Sequence, residues 1–408
     1  MKIVNEKKFD VFVTGGGVAG IAAALQAARC GKRVVLVEKQ AALGGMATGG
    51  HVNLFEPMCN GRGVQITKGM VDELLALSIR YGYDDMPEVW QNGEPGLDST
   101  NVRYMCRFSA CIFALALCDL LVREGVEVMF DTVVTDVEAN DGHIHSAIVF
   151  NKSGFSRIYA DMFVDTTGDA DILWYLGVPT VTQGSYHTYA GWGLDLDSCA
   201  RAVAAQDVGK VCFDMVGGNA TRYGKRQPEG MPLWDGTDGD QISAYYRTNQ
   251  MELLANIKDQ PRKFREVVML PSTHQIRTTR RLDGNYTLQK EDVFRHMPDS
   301  IGAVGDCVKR NRIYEIPYGC LVKDGFDNVI TAGRCACAEG YAWEVTRVIP
   351  SAILTGQAAG MAVSQALDAG CGITAVAIAP LQKALEDAGV MIHFDDALIP
   401  AEIPEVNI

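Results

Sequence analysis

The chain has 408 residues, a formal net charge of −13 and 48% hydrophobic residues. This length exceeds one ordinary hydrophobic core, so we expect two or three domains. Because no basic run is present to neutralise phosphates, the composition argues against nucleic-acid binding. No apolar signal core precedes the first apolar run and no apolar stretch reaches membrane-spanning length, so we expect a cytoplasmic protein without a membrane span.

The twelve cysteines are scattered through predicted helices and strands. The absence of a C-x-x-C pair argues against zinc ribbons and iron–sulfur ligation, and we expect no metal site. In a reducing compartment these residues should be buried free thiols that pack as small hydrophobic side chains.

Near the N-terminus, the pattern predicts a strand over 10–14, a glycine turn over 15–20, a helix over 21–30 and a second strand over 33–37 that ends at Glu38. Gly15 permits a tight turn, Gly17 a close backbone approach to a pyrophosphate, and Gly20 close packing of the helix on the sheet. The helix N-terminus favours phosphate, and Glu38 is placed to accept hydrogen bonds from ribose hydroxyls. The unit predicts dinucleotide binding but does not identify the dinucleotide.

The following segments alternate between nucleotide-domain elements and excursions. The glycine-dense segment 44–50 predicts a backbone that passes close to a flat or bulky ligand, and a flexible loop is the alternative. Further along, the pattern predicts helices over 71–80 and 106–123, a third parallel strand over 126–130, an antiparallel meander over 133–138, 144–150 and 156–160, and a return to the parallel sheet over 162–165.

In the remaining chain, a change in hydrophobic periodicity predicts a second domain that is inserted into the first. Periodicity weakens over 177–298, which includes a strand-like stretch over 274–282. The nucleotide domain resumes near residue 301, with a strand over 328–334 and a helix over 352–367 preceded by Pro350, and a last helix covers 377–388. We therefore expect a nucleotide domain over 1–51, 101–176 and 299–372, a substrate or cap domain over 52–100 and 177–298, and a C-terminal helical tail over 373–408.

Several separated motifs together resemble one family. They are the N-terminal fingerprint with Glu38, the loop 43–48, the segment 164–169, the segment 277–284 and the run from 328 to 360. With them the chain resembles the FAD-dependent oxidoreductases of the glutathione-reductase-like Rossmann class, and more narrowly the family related to the flavin subunit of heterodisulfide reductase. The resemblance implies an α/β protein: a Rossmann-type FAD-binding domain with a parallel sheet and an antiparallel meander, plus a mixed α+β substrate domain.

The resemblance also implies which residues bind FAD. The pyrophosphate would lie at Gly15, Gly17, Val18, Ala19 and Gly20, and the adenosine ribose at Glu38 beside Lys39, with the adenine near Val133 or Val134. The ribityl chain and flavin would lie near Gly44, Gly45, Met46, Gly333 and Arg334, with Thr167, Gly168 and Asp169 nearby. The helix that starts at Pro350 and Ser351 would direct its N-terminus at flavin N1. A helix N-terminus stabilises negative charge at reduced flavin N1.

Four residues are candidates for catalysis. His51 could donate or accept a proton beside the flavin, and a loop histidine bonded to the backbone is the alternative. On an alternating strand Arg277 and Arg281 would share one face and could bind an anionic group, with ordinary salt bridges as the alternative. Arg347 is the arginine expected nearest the flavin ring.

Two cysteine pairs are candidates for redox chemistry. Cys106 and Cys111 have the C-x4-C spacing of thiol-redox flavoenzymes, but they lie far beyond the glycine loop in which that branch carries them. Cys335 and Cys337 lie close to the predicted flavin, and packing is the preferred interpretation of both pairs.

The expected function is therefore an FAD-dependent oxidoreductase that moves a hydride or two electrons between a small organic substrate and flavin N5. No second glycine fingerprint is found, so oxygen, a quinone or a partner protein is the expected electron acceptor rather than a nicotinamide. Two alternatives stay open: an FAD-binding electron-relay subunit of a larger complex, and an NAD-binding protein without flavin. A homo-oligomer is also compatible with the sequence.

Overall fold

A computed structural model describes residues 2–402, so Met1 and residues 403–408 of the predicted tail lie outside the described residues. The strands are β1 Ile3–Thr14, β2 Val34–Val37, β3 Leu54–Phe55, β4 Cys106–Arg107, β5 Glu127–Met129, β6 Val133–Asn140, β7 His143–Asn151, β8 Gly154–Asp165, β9 Thr180–Thr182, β10 Thr188–Asp195, β11 Phe213–Asn219, β12 Arg265–Met269, β13 Arg280–Leu282, β14 Ser300–Gly305, β15 Ile313–Pro317 and β16 Val329–Thr331. The helices are α1 Val18–Arg29, α2 Met70–Ile79, α3 Glu88–Gln91, α4 Ala110–Arg123, α5 Asp171–Leu176, α6 Leu196–Ala205, α7 Gly239–Ile257, α8 Gly340–Thr346, α9 Ile349–Ala369 and α10 Ile378–Asp387.

A seven-stranded sheet forms the centre of the protein, in the order β5-β2-β1-β8-β7-β6, with β16 also paired to β8. Five strands run parallel to one another: β5, β2, β1, β8 and β16. Strand β7 is antiparallel to both of its neighbours, β6 and β8. The last four residues of β1 and all of β2 are buried, as expected for parallel strands covered on both faces. The predicted α/β class, with its parallel sheet and antiparallel meander, is confirmed.

Helices α1 and α9 pack against each other at very short range. A Cβ added to Gly356 of α9 would lie 2.1 Å from the carbonyl oxygen of Ala19, and one added to Gly360 would lie 2.4 Å from that of Ala23. These glycines therefore let two backbones approach directly, which places the N-termini of both helices at the same edge of the sheet.

Strand β8 differs from the prediction of two separate strands over 156–160 and 162–165. It is one continuous strand of 12 residues that pairs with β1 along its length. Its other edge pairs first with β7 and then with β16. Asp161 does not interrupt the strand because its side chain points to solvent.

Two further predicted elements are shorter than expected. The helix predicted from residue 106 begins at Ala110, because the backbone of Cys106 and Arg107 pairs with β3. In the predicted strand over 274–282, only Arg280–Leu282 is a strand, paired with β9, and Arg277 lies in the preceding loop. Arg277 and Arg281 therefore do not share one strand face.

The segment 177–298 contains its own sheet, in the order β11-β10-β12. A separate hydrophobic cluster lies here, formed by Tyr189, Met215, Trp234, Tyr245, Leu253 and Ile276. In contrast, Leu74 and Leu75 of α2, within the predicted cap segment 52–100, are buried in the main core with α1 and α9. Across residues 2–402, no helix has the length and apolar character needed to cross a membrane.

Candidate functional site

A cavity of about 1740 Å³, part of it open to solvent, lies at the carboxyl ends of β1, β2, β8 and β16. This edge of an open parallel sheet is where ligands usually bind in such folds. Of the residues predicted to bind the cofactor, the following line the cavity: Gly15, Gly17, Val18, Ala19, Glu38, Lys39, Gly44, Gly45, Met46, Val133, Val134, Thr167, Gly168, Asp169, Gly333 and Arg334. The structure thus brings together residues that are separated by more than three quarters of the chain length, from Gly15 to Arg334.

The glycine turn opens directly into this cavity. Gly15 adopts φ +94°, and a Cβ there would lie 2.4 Å from the Thr166 carbonyl oxygen, so the turn requires glycine. Gly17 is different, because a Cβ added to it would meet no atom within 4 Å. Protein packing therefore does not require glycine at position 17, whereas a ligand lying against the backbone would.

The N-terminus of α1 begins at this turn, and no side chain caps it. Unpaired N–H groups and the positive end of the helix dipole therefore face the cavity, as an anion such as pyrophosphate requires. Gly20 does not line the cavity, since its Cβ position lies 1.9 Å from the Gly15 carbonyl oxygen inside the turn. Its role is close packing of the turn and the helix, as predicted from the motif.

Glu38 lies at the tip of β2 with its side chain nearly buried. Its Oε2 accepts a hydrogen bond from the Gly16 N–H at 2.6 Å, and its Oε1 accepts one from the Gln40 N–H at 2.7 Å. Burial raises the pKa of Glu38, and the two backbone N–H groups oppose that rise. Each carboxylate oxygen keeps a second lone pair, so the fixed carboxylate can still accept hydrogen bonds from ribose hydroxyls.

The N-terminus of α9 also reaches the cavity, beside that of α1, and contributes Val348, Ile349 and Ala352 to its lining. No side chain caps this helix either. Pro350 and Ser351, the predicted contact residues, do not line the cavity, and the Ser351 hydroxyl donates to the Val345 carbonyl at 2.8 Å. On a helix, adjacent residues point in different directions, so the predicted dipole reaches the cavity through Ile349 and Ala352 instead.

Arg334 ties the end of β16 to the loop after β8. It donates to the Gly168 carbonyl at 2.7 Å and to Asp169 Oδ1 at 2.8 Å. Burial alone would raise the pKa of Asp169, but the positive charge of Arg334, together with His274, lowers it below its ordinary value. This buried, paired carboxylate stays ionised and fixes the wall of the cavity.

Three further arginines line the cavity: Arg222, Arg277 and Arg347. Arg347 forms an ion pair with Glu344, which also lies 3.6 Å from Arg222, yet the buried Nε of Arg347 has no hydrogen-bond partner within residues 2–402. Arg277 donates to the Ala220 carbonyl at 3.5 Å, and no carboxylate of the described residues pairs with it. Burial and the charge of Arg347 lower the pKa of Arg277 to about 10. We call these three residues the arginine wall.

Glu56 lines the same part of the cavity. Burial raises the pKa of Glu56, and the charges of Arg222 and Arg347 act against that rise. Neither Glu56 nor Arg222 was a candidate from the sequence, because no local motif marks them. Only the packing of the loop after β3 and the loop after β11 brings them to the cavity.

Two predicted catalytic residues, His51 and Arg281, do not line the cavity. The His51 ring stacks on Trp192 with centroids 4.7 Å apart, and both of its nitrogens are buried. Burial lowers the pKa of His51. Arg281 is buried, donates to the Leu282 carbonyl at 2.9 Å and lies over the Trp343 ring, so it serves packing at β13.

The cysteines of the weighed pairs are free thiols outside the cavity. Cys106 is buried and Cys111 is exposed. Cys335 accepts a hydrogen bond from the Ala170 N–H at 3.2 Å, and Cys337 accepts one from the Gly284 N–H at 3.2 Å. These contacts agree with the packing role preferred from the sequence.

Comparisons with known proteins identify relatives over parts of the chain. The chain is 50% identical over 58 residues to NADH:acrylate oxidoreductase of Vibrio harveyi, covering 14% of this chain and 6% of that protein. It is 26% identical over 171 residues to digeranylgeranylglycerophospholipid reductase of Sulfolobus acidocaldarius, covering 40% of this chain and 35% of that protein. The matches thus span about a third or less of these curated relatives.

Among solved structures, a geranylgeranyl bacteriochlorophyll reductase-like protein from Thermoplasma acidophilum aligns with a TM-score of 0.45 and 13% identity, covering 97% of this chain and 95% of that one. The sequence also matches the family described as FAD dependent oxidoreductase over residues 10–191 and 218–385. The open glycine turn, the two uncapped helix N-termini and the fixed carboxylate of Glu38 fit an FAD molecule. The chain belongs to the FAD dependent oxidoreductase family, and its cofactor is FAD.

Proposed function

We propose that the protein transfers a hydride, or two electrons, between FAD and a small organic substrate whose anionic group binds at the arginine wall. The observation that supports this proposal is that a single cavity is lined both by the glycine turn and Glu38 and by Arg222, Arg277 and Arg347. FAD supplies the acceptor or donor of the hydride. The chain binds and orients both molecules and excludes water from the contact between them.

The dinucleotide side of the cavity would hold FAD through backbone groups and one carboxylate. The N–H groups at Val18 and Ala19 would bind the pyrophosphate, because they have no helical partner. Glu38 would bind the ribose hydroxyls. The N-terminus of α9 would face the flavin and favour negative charge on the reduced ring.

The arginine wall favours a carboxylate or another anion for a specific reason. A partly buried guanidinium without a carboxylate partner loses hydration without full compensation, and a bound anion would offset that loss by forming charge-assisted hydrogen bonds. Arg277 has no such partner among the described residues, and the Nε of Arg347 is unpaired there. An anionic substrate would supply the missing hydrogen-bond acceptor for both guanidinium groups.

Glu56 makes anion binding depend on pH. Its pKa is raised by burial, so it becomes protonated at a pH above the ordinary range of glutamate. Protonation removes a negative charge beside Arg222 and Arg347, and we therefore expect the affinity for a small carboxylate to rise as the pH falls through this pKa. The measurement is a titration of the FAD-loaded protein with acetate at several pH values, followed by the flavin absorbance. Glu56→Gln should remove most of this dependence, and an unchanged profile would refute the role of Glu56.

Glu38→Ala is expected to weaken FAD binding by about 1.5–3 kcal/mol, the usual contribution of hydrogen bonds to a charged group. The measurement is FAD affinity by fluorescence quenching after reconstitution. Because Glu38 also accepts two backbone N–H groups, unfolding of the apoprotein must be compared with that of the wild type. FAD affinity equal to that of the wild type would exclude the assigned ribose contact.

The relation to the flavin subunit of heterodisulfide reductase is proposed from the sequence motifs alone. The cytoplasmic location is proposed from the absence of an apolar signal core, and the domain boundaries are proposed from the change of periodicity along the sequence. Oxygen, a quinone or a partner protein is the proposed electron acceptor, and homo-oligomerisation is kept as a proposal.

The function is tested by mixing the FAD-loaded protein anaerobically with small alcohols, amines, amino acids and hydroxy acids while the flavin absorbance is followed. We expect bleaching by a compound that carries a carboxylate, and much slower bleaching in Arg277→Gln at the same concentration. Bleaching only by compounds without an anionic group, or at equal rates in the variant, would contradict the proposal.

A further inference from the structure

Three side chains that could bind a metal ion meet at the β14–β15 hairpin. His296 precedes β14, Glu315 lies in β15, and His393 follows α10. One ligand atom from each lies within 4.8 Å of the others. No local sequence motif marks this group, because the three residues are 19 to 97 positions apart in the chain.

We propose that His296, Glu315 and His393 form a binding site for a divalent transition-metal ion of the zinc class. Two imidazole nitrogens and one carboxylate oxygen are a ligand set that zinc uses in proteins when solvent completes the coordination. The site lies apart from the FAD cavity, so its occupation does not depend on the proposed function.

The carboxylate of this site is held in place by the backbone. Glu315 is fully buried, and its Oε2 accepts a hydrogen bond from the Met297 N–H at 2.7 Å. Its Oε1 accepts one from the Phe394 N–H at 3.3 Å. A buried, oriented carboxylate that points toward two histidines is a preorganised ligand.

The histidines approach opposite oxygens of this carboxylate. His296 Nδ1 lies 2.7 Å from Oε1, and His393 Nδ1 lies 2.9 Å from Oε2. Two ligands of a tetrahedral ion, each at 2.0–2.1 Å, lie roughly 3.3 Å apart, so each pair has to open by about half an ångström. The two rings are 45% and 44% exposed, which leaves them room to move and gives an ion a direct entry path.

A second carboxylate has the position expected beside a ligating histidine. Asp396 Oδ1 lies 2.9 Å from His296 Nε2, the ring nitrogen that would not bind the ion. Metal-binding histidines commonly donate their other N–H to a carboxylate, which fixes the ring and leaves Nδ1 free for the metal. The His296 ring also stacks on Phe394 with centroids 4.4 Å apart.

An ion here would connect three segments of the chain. It would join the stretch before β14, the strand β15 and the segment after α10. Metal binding to the folded protein alone stabilises it. We therefore assign the ion a structural role in fastening the C-terminal segment to the hairpin.

The test uses the FAD-loaded, full-length protein after treatment with EDTA and exchange into chelator-free buffer. Zn²⁺ is titrated in competition with a chromogenic chelator, and bound zinc is counted by elemental analysis after gel filtration. We expect about one zinc ion per chain in the wild type and a rise in the thermal midpoint with Zn²⁺. In His393→Gln, binding should be weaker by at least about tenfold and the rise should be lost.

His143→Gln is the matched control, because His143 Nδ1 contacts Asp327 at 2.8 Å on an exposed surface and has His145 beside it. This control should bind zinc like the wild type. Asp396→Asn is a second variant, in an exposed residue, and should weaken binding without changing the apoprotein midpoint. Failure of the wild type to retain zinc, or equal affinity in wild type and His393→Gln, would overturn the proposal and leave a hydrogen-bonded cluster.

Discussion

Gly17→Ala is expected to leave the fold intact and to weaken FAD binding about a hundredfold, or about 2.8 kcal/mol. Its backbone, at φ −69° and ψ 173°, is open to any residue, and the added Cβ meets no protein atom within 4 Å. The methyl group would instead occupy the space against which we propose that the pyrophosphate lies. The measurement is FAD affinity of the reconstituted apoprotein, combined with chemical unfolding of the apoprotein.

Gly239→Ala is the matched control for this change. Gly239 is the first residue of α7, and a Cβ there also meets nothing within 4 Å, but it does not line the cavity. It should retain wild-type FAD affinity. If Gly17→Ala bound FAD as tightly as this control, the pyrophosphate could not lie at the turn.

Gly356→Ala should lower the free energy of unfolding by about 3 kcal/mol, as expected for overpacking in a buried contact. In an exposed helix the same change would stabilise by about 1 kcal/mol through helix propensity. Here the new Cβ would lie 2.1 Å from the Ala19 carbonyl oxygen, so α1 and α9 must separate. Urea unfolding of the apoprotein measures the effect.

The separation of these helices should also weaken FAD binding, because both N-termini line the cavity. Gly360→Ala, with its Cβ 2.4 Å from the Ala23 carbonyl oxygen, should be destabilised in the same direction. Gly239→Ala again serves as the control: at this exposed first position of α7 it should be as stable as the wild type, or more stable by up to about 1 kcal/mol. Wild-type stability in both α9 variants would show that the two helices do not depend on this close contact.

The sequence predicts the fold best where a local pattern determines the structure. The unit β1-α1-β2 combines buried apolar strands with a glycine turn, and the helix α9 follows an early proline, so both were recognisable. The bounds of the strand predicted over 274–282 cannot be determined from a local pattern. Alternation cannot show that only Arg280–Leu282 has a pairing partner in β9.

The site residues, too, are recognisable from the sequence only where a local pattern determines their position. The glycines and Glu38 are recognisable because their roles depend on the backbone of one short segment. The arginine wall is formed by loops that are distant in the sequence. Arg277 and Arg347 are candidates because they lie in or next to recognisable motifs, whereas no local motif marks Arg222 or the neighbouring Glu56. Alternation along one continuous strand predicts that Arg281 shares a face with Arg277. That strand begins only at Arg280, and the Arg281 side chain instead packs on Trp343.

We propose that one cavity holds FAD and an anionic substrate group side by side. The most direct measurement is the visible difference spectrum of the FAD-loaded protein during titration with small carboxylates, in the wild type and in Arg277→Gln. We predict a saturable change of the flavin bands in the wild type and at least tenfold weaker binding in the variant, a loss of about 1.4 kcal/mol. A flavin spectrum that no carboxylate perturbs, or equal affinities in the two proteins, would contradict this account.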